Sequence, residues 1–145
     1  MMLIFKRTYT FSAAHRLYNP AFSDEQNQAV FGKCNNPNFH GHNYTFEVLL
    51  TGEVNPTTSM LIDMVELDTL IETHLLERVD HKNLNVDVPL FEGHITSAEN
   101  IAKVFFGVLQ PVLPACVTLV GIKVQESQNN SAEFWNEKLT ALPLG

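Results

Sequence analysis

Basic residues are scarce in this chain. Nine Lys and Arg stand against 16 Asp and Glu, a formal net charge of −7. No run of cations exists to track a nucleic-acid backbone or an anionic bilayer, so neither is an expected partner. Arg16, Lys33 and Lys82 alone lie beside residues that carry chemistry below, which suits a small anionic substrate at most. Cysteine is almost absent, with Cys34 and Cys116 its two occurrences, too few for a disulfide framework. Cys116 lies in the apolar stretch VLPACVTLV and reads as core, whereas Cys34 sits among polar residues. No apolar run approaches the ~20 residues that a membrane helix needs. The opening MMLIFKRTYT carries its basic residues after its apolar patch, the reverse of a secretory leader. The expectation is a cytoplasmic protein with reduced thiols.

What is present suits one domain over residues 1–145, with 45% hydrophobic and 17% charged residues and no internal repeat. Residues 3–15 alternate, placing Phe5, Arg7, Tyr9, Phe11, Ala13 and His15 on one face of a strand. Residues 42–53 alternate as well, with Tyr44, Phe46, Val48 and Leu50 facing one way. Residues 18–38 between them read as irregular, and so long a loop is usually functional. Asp63 with Glu66 and Thr96 with Glu99 form two capping-box patterns. The first opens a helix through Leu67, Leu70, Ile71, His74 and Leu75, and the second one through Ile101, Val104, Phe105, Val108 and Leu109. Strands over residues 117–126 and 131–136 close the chain. The order ββααββ predicts an α+β domain, a four-stranded antiparallel sheet with two helices on one face. Its two free edges need covering, which makes a homo-oligomer a physical expectation.

His40-Gly41-His42 is the sharpest local signal. Histidines at i and i+2 of a strand point to the same side, ~6–7 Å apart, and bonds of ~2.0–2.1 Å to one zinc ion fit that separation. His15 ends the first strand and completes a facial set if the two strands pair antiparallel. Three histidines with a further position for water or substrate is a catalytic pattern, whereas structural zinc favours four closed ligands. The same residues also suit an exposed turn and a surface histidine. Asp80-His81 is an acid–base unit if a turn lets the carboxylate reach the imidazole, and otherwise a solvated loop. Lys33 and a nearby metal would favour a Cys34 thiolate, although a loop thiol without a role fits equally. Glu126 shares a strand face with Ile122 and Val124, out of the apolar pattern. It reads either as a clamp for a flat guanidine-like edge or as a strand-end charge in water. His74 and His94 are assigned to helix face and loop, not to the metal.

The segments FSAAHRL, FGKCNNPNFHGHNY, DHKNL, TSAEN and VQES with QNN, in that order and spread over nearly the whole chain, resemble the 6-pyruvoyl-tetrahydropterin synthase family. The resemblance implies the tunnelling fold (T-fold), a homohexamer built as a dimer of trimers, and active sites at subunit interfaces. It implies one zinc per chain on His15, His40 and His42. It also implies proton abstraction by Cys34, a second acid–base group in His81 with Asp80, and pterin anchoring by Glu126 with help from Ser97. The reaction implied converts 7,8-dihydroneopterin triphosphate to 6-pyruvoyl-tetrahydropterin with loss of triphosphate. Three positions depart from the best-known animal members. Ser97-Ala98 stands for a Thr pair, Glu126-Ser127 for Glu-Thr, and Phe39 for a usual Gly, which alters the pocket wall. The C-terminal run EFWNEKLTALPLG differs too, without a functional account.

A sister activity of the same fold, 6-carboxytetrahydropterin synthase of queuosine biosynthesis, is the nearest rival. Those sequences usually have a shorter interval between the cysteine and HGH than the five residues found here. A zinc hydrolase would normally carry a general-base Glu beside its ligands, as in His-Glu-x-x-His, and none is present. A non-catalytic zinc-binding interaction module would be indifferent to loss of Cys34 or His81.

Overall fold

The computed structural model describes residues 2–140; residue 1 and residues 141–145, the end of the C-terminal run, lie outside it. In chain order come β1 (Phe5–His15), α1 (Asp24–Phe31), β2 (His40–Gly52), α2 (Met64–Ile71), α3 (Glu77–Val79), β3 (Lys82–Asn83), α4 (Ala98–Leu109), β4 (Val117–Ser127), β5 (Asn130–Trp135) and α5 (Glu137–Thr140). The fold is α+β, but the sheet has five strands rather than four and is mixed, in the order β3-β1-β2-β4-β5. The added strand, β3, is two residues long and runs parallel to Ala13 and Ala14. A strand that short has no periodicity to read, and its pairing comes from the chain returning after α3.

The central antiparallel pair carries the expected alternation. Phe11, Ala13 and His15 of β1 and Tyr44, Phe46, Val48 and Leu50 of β2 are buried on one face. Their registers run from Phe5 opposite Leu50 to His15 opposite His40. The opposite face is polar and carries the ion pairs Lys6–Glu47 at 3.1 Å and Lys123–Glu133 at 3.8 Å.

Both helical layers pack on the apolar face. Asp63 caps α2 by accepting from the amides of Val65 and Glu66. From α2 the chain continues through a π turn at Glu72–Leu76 into α3. Leu67, Ile71, Leu75 and Val79 are all fully buried along this run. Four-residue spacing drifts by ~40° per step around an ideal helix, and the wider π turn offsets that drift, keeping the four on one side. α4 buries Ile101, Ala102, Phe105, Phe106 and Leu109, and Phe105 meets Phe46 and Phe11 at ring distances of 5.1 and 5.7 Å. No helix among the described residues is long and apolar enough to cross a membrane.

Three further expectations need correction. The stretch read as irregular contains α1, capped reciprocally by Ser23 and Gln26. It has no apolar stripe. Its buried Asn27 instead donates to the carbonyls of Asn19 and Ser23 and accepts from the Asn19 amide. Ser97, not Thr96, caps α4. Cys116 is exposed, because a turn closed by the Val117 amide on the Pro114 carbonyl (2.9 Å) precedes β4.

Candidate metal centre

The end of the β1–β2 pair brings the three histidines together. His15 and His40 are direct cross-strand partners, and His42 is next along β2 on the same face. Ring centroids lie 4.6, 5.1 and 5.0 Å apart for the pairs 15–40, 15–42 and 40–42. One nitrogen from each lies within 4.8 Å of the others. Gly41 allows a close approach here, because a Cβ at this position would stand a tight 3.2 Å from the Ala13 carbonyl oxygen of β1.

The hydrogen bonding fits a metal. His15 Nδ1 lies 2.7 Å from the Thr96 carbonyl, so Nδ1 carries the proton and Nε2 presents its lone pair. His15 Nε2, His40 Nδ1 and His42 Nε2 are all buried without a hydrogen-bond partner. Three unpaired buried nitrogens aimed at one centre is a costly arrangement for a chain alone and a suitable one for a divalent cation. Burial pushes the His15 imidazole down to about 4, reinforced by the two neighbouring histidines against the opposing Thr96 carbonyl. Burial likewise lowers His40. Neutral imidazole is the ligating form.

Glu126 reaches the same centre from β4. Its carboxylate oxygens stand 3.8 Å from His15 Nε2 and 3.7 Å from His42 Nε2. Cys34 lies half-buried in a 3₁₀ turn at Gly32–Asn35. That turn is tied to the residues just after His15. The Leu17 amide donates to the Cys34 carbonyl at 2.8 Å, and Arg16 Nε donates to the Asn35 carbonyl at 2.8 Å. Thr96, fully buried, donates its hydroxyl toward the Arg16 carbonyl and Asn85.

Asp80 and His81 do meet, His81 Nδ1 lying 3.0 Å from Asp80 Oδ1. The turn they need comes from His81 itself, which adopts φ +58. The Ser12 amide donates to Asp80 at 2.8 Å. This amide is the leading reason that Asp80 is held below the usual carboxylate range, with His81 adding to it. His81 is exposed and borders a groove of about 360 Å³ together with Ser12, Ala14, Gly41, His42 and Asn43. The pair thus flanks the metal centre rather than joining it. The Ser97 hydroxyl accepts from the Asn100 amide at 3.4 Å. Phe39, immediately before His40, takes φ +66, a conformation that glycine enters more readily than an L side chain.

Two contributors escaped the sequence reading. The Thr96 carbonyl that orients His15 is a backbone group, which no residue pattern announces. Tyr44 is legible as an inward strand residue, but its hydroxyl, buried and without a hydrogen-bond partner, is not.

A family model described as 6-pyruvoyl tetrahydropterin synthase matches residues 4–137. The human protein named 6-pyruvoyl tetrahydrobiopterin synthase is 44% identical over 131 residues, covering 90% of this chain and 90% of its own length. The Drosophila melanogaster protein of that name is 41% identical over 128 residues, covering 88% of this chain and 76% of its own. The solved structure of Caenorhabditis elegans 6-pyruvoyl tetrahydropterin synthase superposes with a TM-score of 0.86 at 38% identity, covering 94% of this chain and 96% of that one.

Proposed function

The chain belongs to the 6-pyruvoyl tetrahydropterin synthase family, and from that premise we propose that it is a lyase converting 7,8-dihydroneopterin triphosphate to 6-pyruvoyl-tetrahydropterin with release of triphosphate. The supporting observation is the set of three buried, unpartnered imidazole nitrogens converging beside Glu126. The reaction is an elimination joined to an internal redox rearrangement, so it needs no external electron carrier.

His15, His40 and His42 are the proposed ligands of one zinc ion per chain. Bound there, zinc would supply Lewis acidity to the side-chain oxygens of the substrate and make the neighbouring carbon-bound protons easier to remove. Cys34 takes such a proton, its turn held in place by the Leu17 and Arg16 hydrogen bonds. His81 handles protons on the other side, oriented by the carboxylate that Ser12 anchors. Two separate groups suit a reaction that deprotonates one carbon and protonates another. Glu126 holds the amino-pyrimidine edge of the pterin by paired charge-assisted hydrogen bonds, and Ser97 assists from the start of α4. The assignment extends to the T-fold architecture, a hexamer of two stacked trimeric barrels that covers the open sheet edges, and a cytoplasmic location.

The test is to incubate the zinc-loaded protein with 7,8-dihydroneopterin triphosphate, identify the product by mass spectrometry and measure metal content alongside. The 6-pyruvoyl product with about one zinc per chain is expected. A 6-carboxy product alone would sink the reading.

A further inference from the structure

Among the described residues, Tyr44 is the one buried side chain at this centre whose polar atom has neither a partner nor a place among the proposed ligands. It lies on β2 two residues from His42, facing the same side, and is fully buried. Its ring is clamped: stacked on Phe11 at 4.7 Å with an interplanar angle of 5°, and edge-on to His42 at 5.4 Å and His15 at 5.9 Å. One step beyond the Thr45–Gln125 pair, the β2–β4 register sets Glu126 opposite Tyr44. The hydroxyl, carried by a ring packed against two of the imidazoles, is thus buried without a hydrogen-bond partner.

A desolvated hydroxyl without a partner destabilises a chain, and phenylalanine would fill the same slot at no such cost. The ring cannot swing to find a partner, because Phe11 and the two imidazoles hold it. A hydroxyl kept under those terms is matched to a group that arrives from outside. A metal on three histidines keeps a further position for an oxygen of water or substrate. Resting on the function proposed above, we infer that the Tyr44 hydroxyl donates a hydrogen bond to a side-chain oxygen of the pterin held at the three-histidine centre, fixing which carbon faces Cys34. Tyr44 is thus a substrate-contacting residue that reads the hydroxylated side chain, distinct from the anchoring of the ring by Glu126.

The test compares wild type with Tyr44→Phe. Zinc-loaded protein is titrated with two unreactive pterins, 7,8-dihydroneopterin, which carries the side-chain hydroxyls, and 6-methyl-7,8-dihydropterin, which lacks them. Tyr44→Phe should weaken the first by about 10-fold, the factor of one net hydrogen bond of ~1.4 kcal/mol, and leave the second unchanged. Metal-free Tyr44→Phe should melt at or above wild type, since the bare chain loses only an unsatisfied group. Equal weakening of both ligands, no weakening of either, or a metal-free variant that melts several degrees lower would each overturn the assignment. Wild type that binds neither pterin would instead remove the proposed function on which it rests.

Discussion

Phe39 offers a prediction whose sign is opposite to the usual one. It precedes the proposed ligand His40 and holds φ +66 while half-buried. For an L side chain the left-handed region costs about 1–2 kcal/mol, whereas glycine enters it freely. Replacing Phe39 by Gly alone would mix relief of that cost with loss of ring packing and with extra freedom in the unfolded chain. Comparing Phe39→Gly with Phe39→Ala cancels the packing, since both delete the ring. Gly is normally the less stable of the two by about 0.5–1 kcal/mol. Here relief of the backbone outweighs that loss, so Phe39→Gly should be the more stable variant by about 0.5–1 kcal/mol. For a domain near this size, 1 kcal/mol moves the Tm by roughly 2–4 °C. Urea and thermal melts of the metal-free variants measure the difference without ligation masking it. An Ala variant as stable as the Gly variant, or more so, would refute the backbone argument.

Cys34→Ala and His81→Ala should each lower turnover by about 100-fold or more while zinc stays near one per chain; survival of turnover in both would remove the acid–base assignment. His42→Ala should lose the metal itself, read by elemental analysis after dialysis. Gly41→Ala forces a methyl to within 3.2 Å of the Ala13 carbonyl between two proposed ligands, so chelator competition should show weaker zinc retention, and unaltered retention would count against a tight β1–β2 approach. Asp80 titrates lower folded than unfolded, so between those two values the unfolded chain binds more protons. Its contribution is complete above the ordinary carboxylate pKa of about 3.9 and disappears as pH falls through the lower folded value. Asp80→Asn should flatten that acid limb of the urea midpoint, and an unchanged limb would contradict the Ser12 contact. Light scattering should give a mass of six chains, and a stable monomer would leave the sheet edges unexplained.

Strands β1 and β2 and the His40–His42 pair were legible because alternation and i, i+2 spacing act through the backbone alone. His40 and His42 share a side by spacing alone, whereas His15 joins them only through the antiparallel register that places it opposite His40, which spacing does not fix. Glu126 stood out because a carboxylate interrupts an apolar face. What escaped notice lacks such a signature. α1 is held by one buried Asn rather than an apolar stripe, although its Ser23–Gln26 capping pair is present in the sequence. β3 is too short to alternate. The cap of α4 moved from Thr96 to Ser97 because the Thr96 carbonyl and hydroxyl are engaged by His15 and Asn85. Cys116 belongs by composition to an apolar run, but the turn at Pro114 places it outside. The Asp80–His81 contact depended on a positive φ at His81, which residue type does not announce.

The hydrogen bond from His15 to the Thr96 carbonyl spans from the sheet to the threshold of α4. A metal held by the imidazole would therefore be coupled to a helical terminus. Stripping the ion with a chelator should speed deuterium uptake at the amides of Asn100 and Ile101, although neither residue is a proposed ligand. Their exchange would then serve as a remote gauge of metal occupancy, usable even while the enzyme is silent.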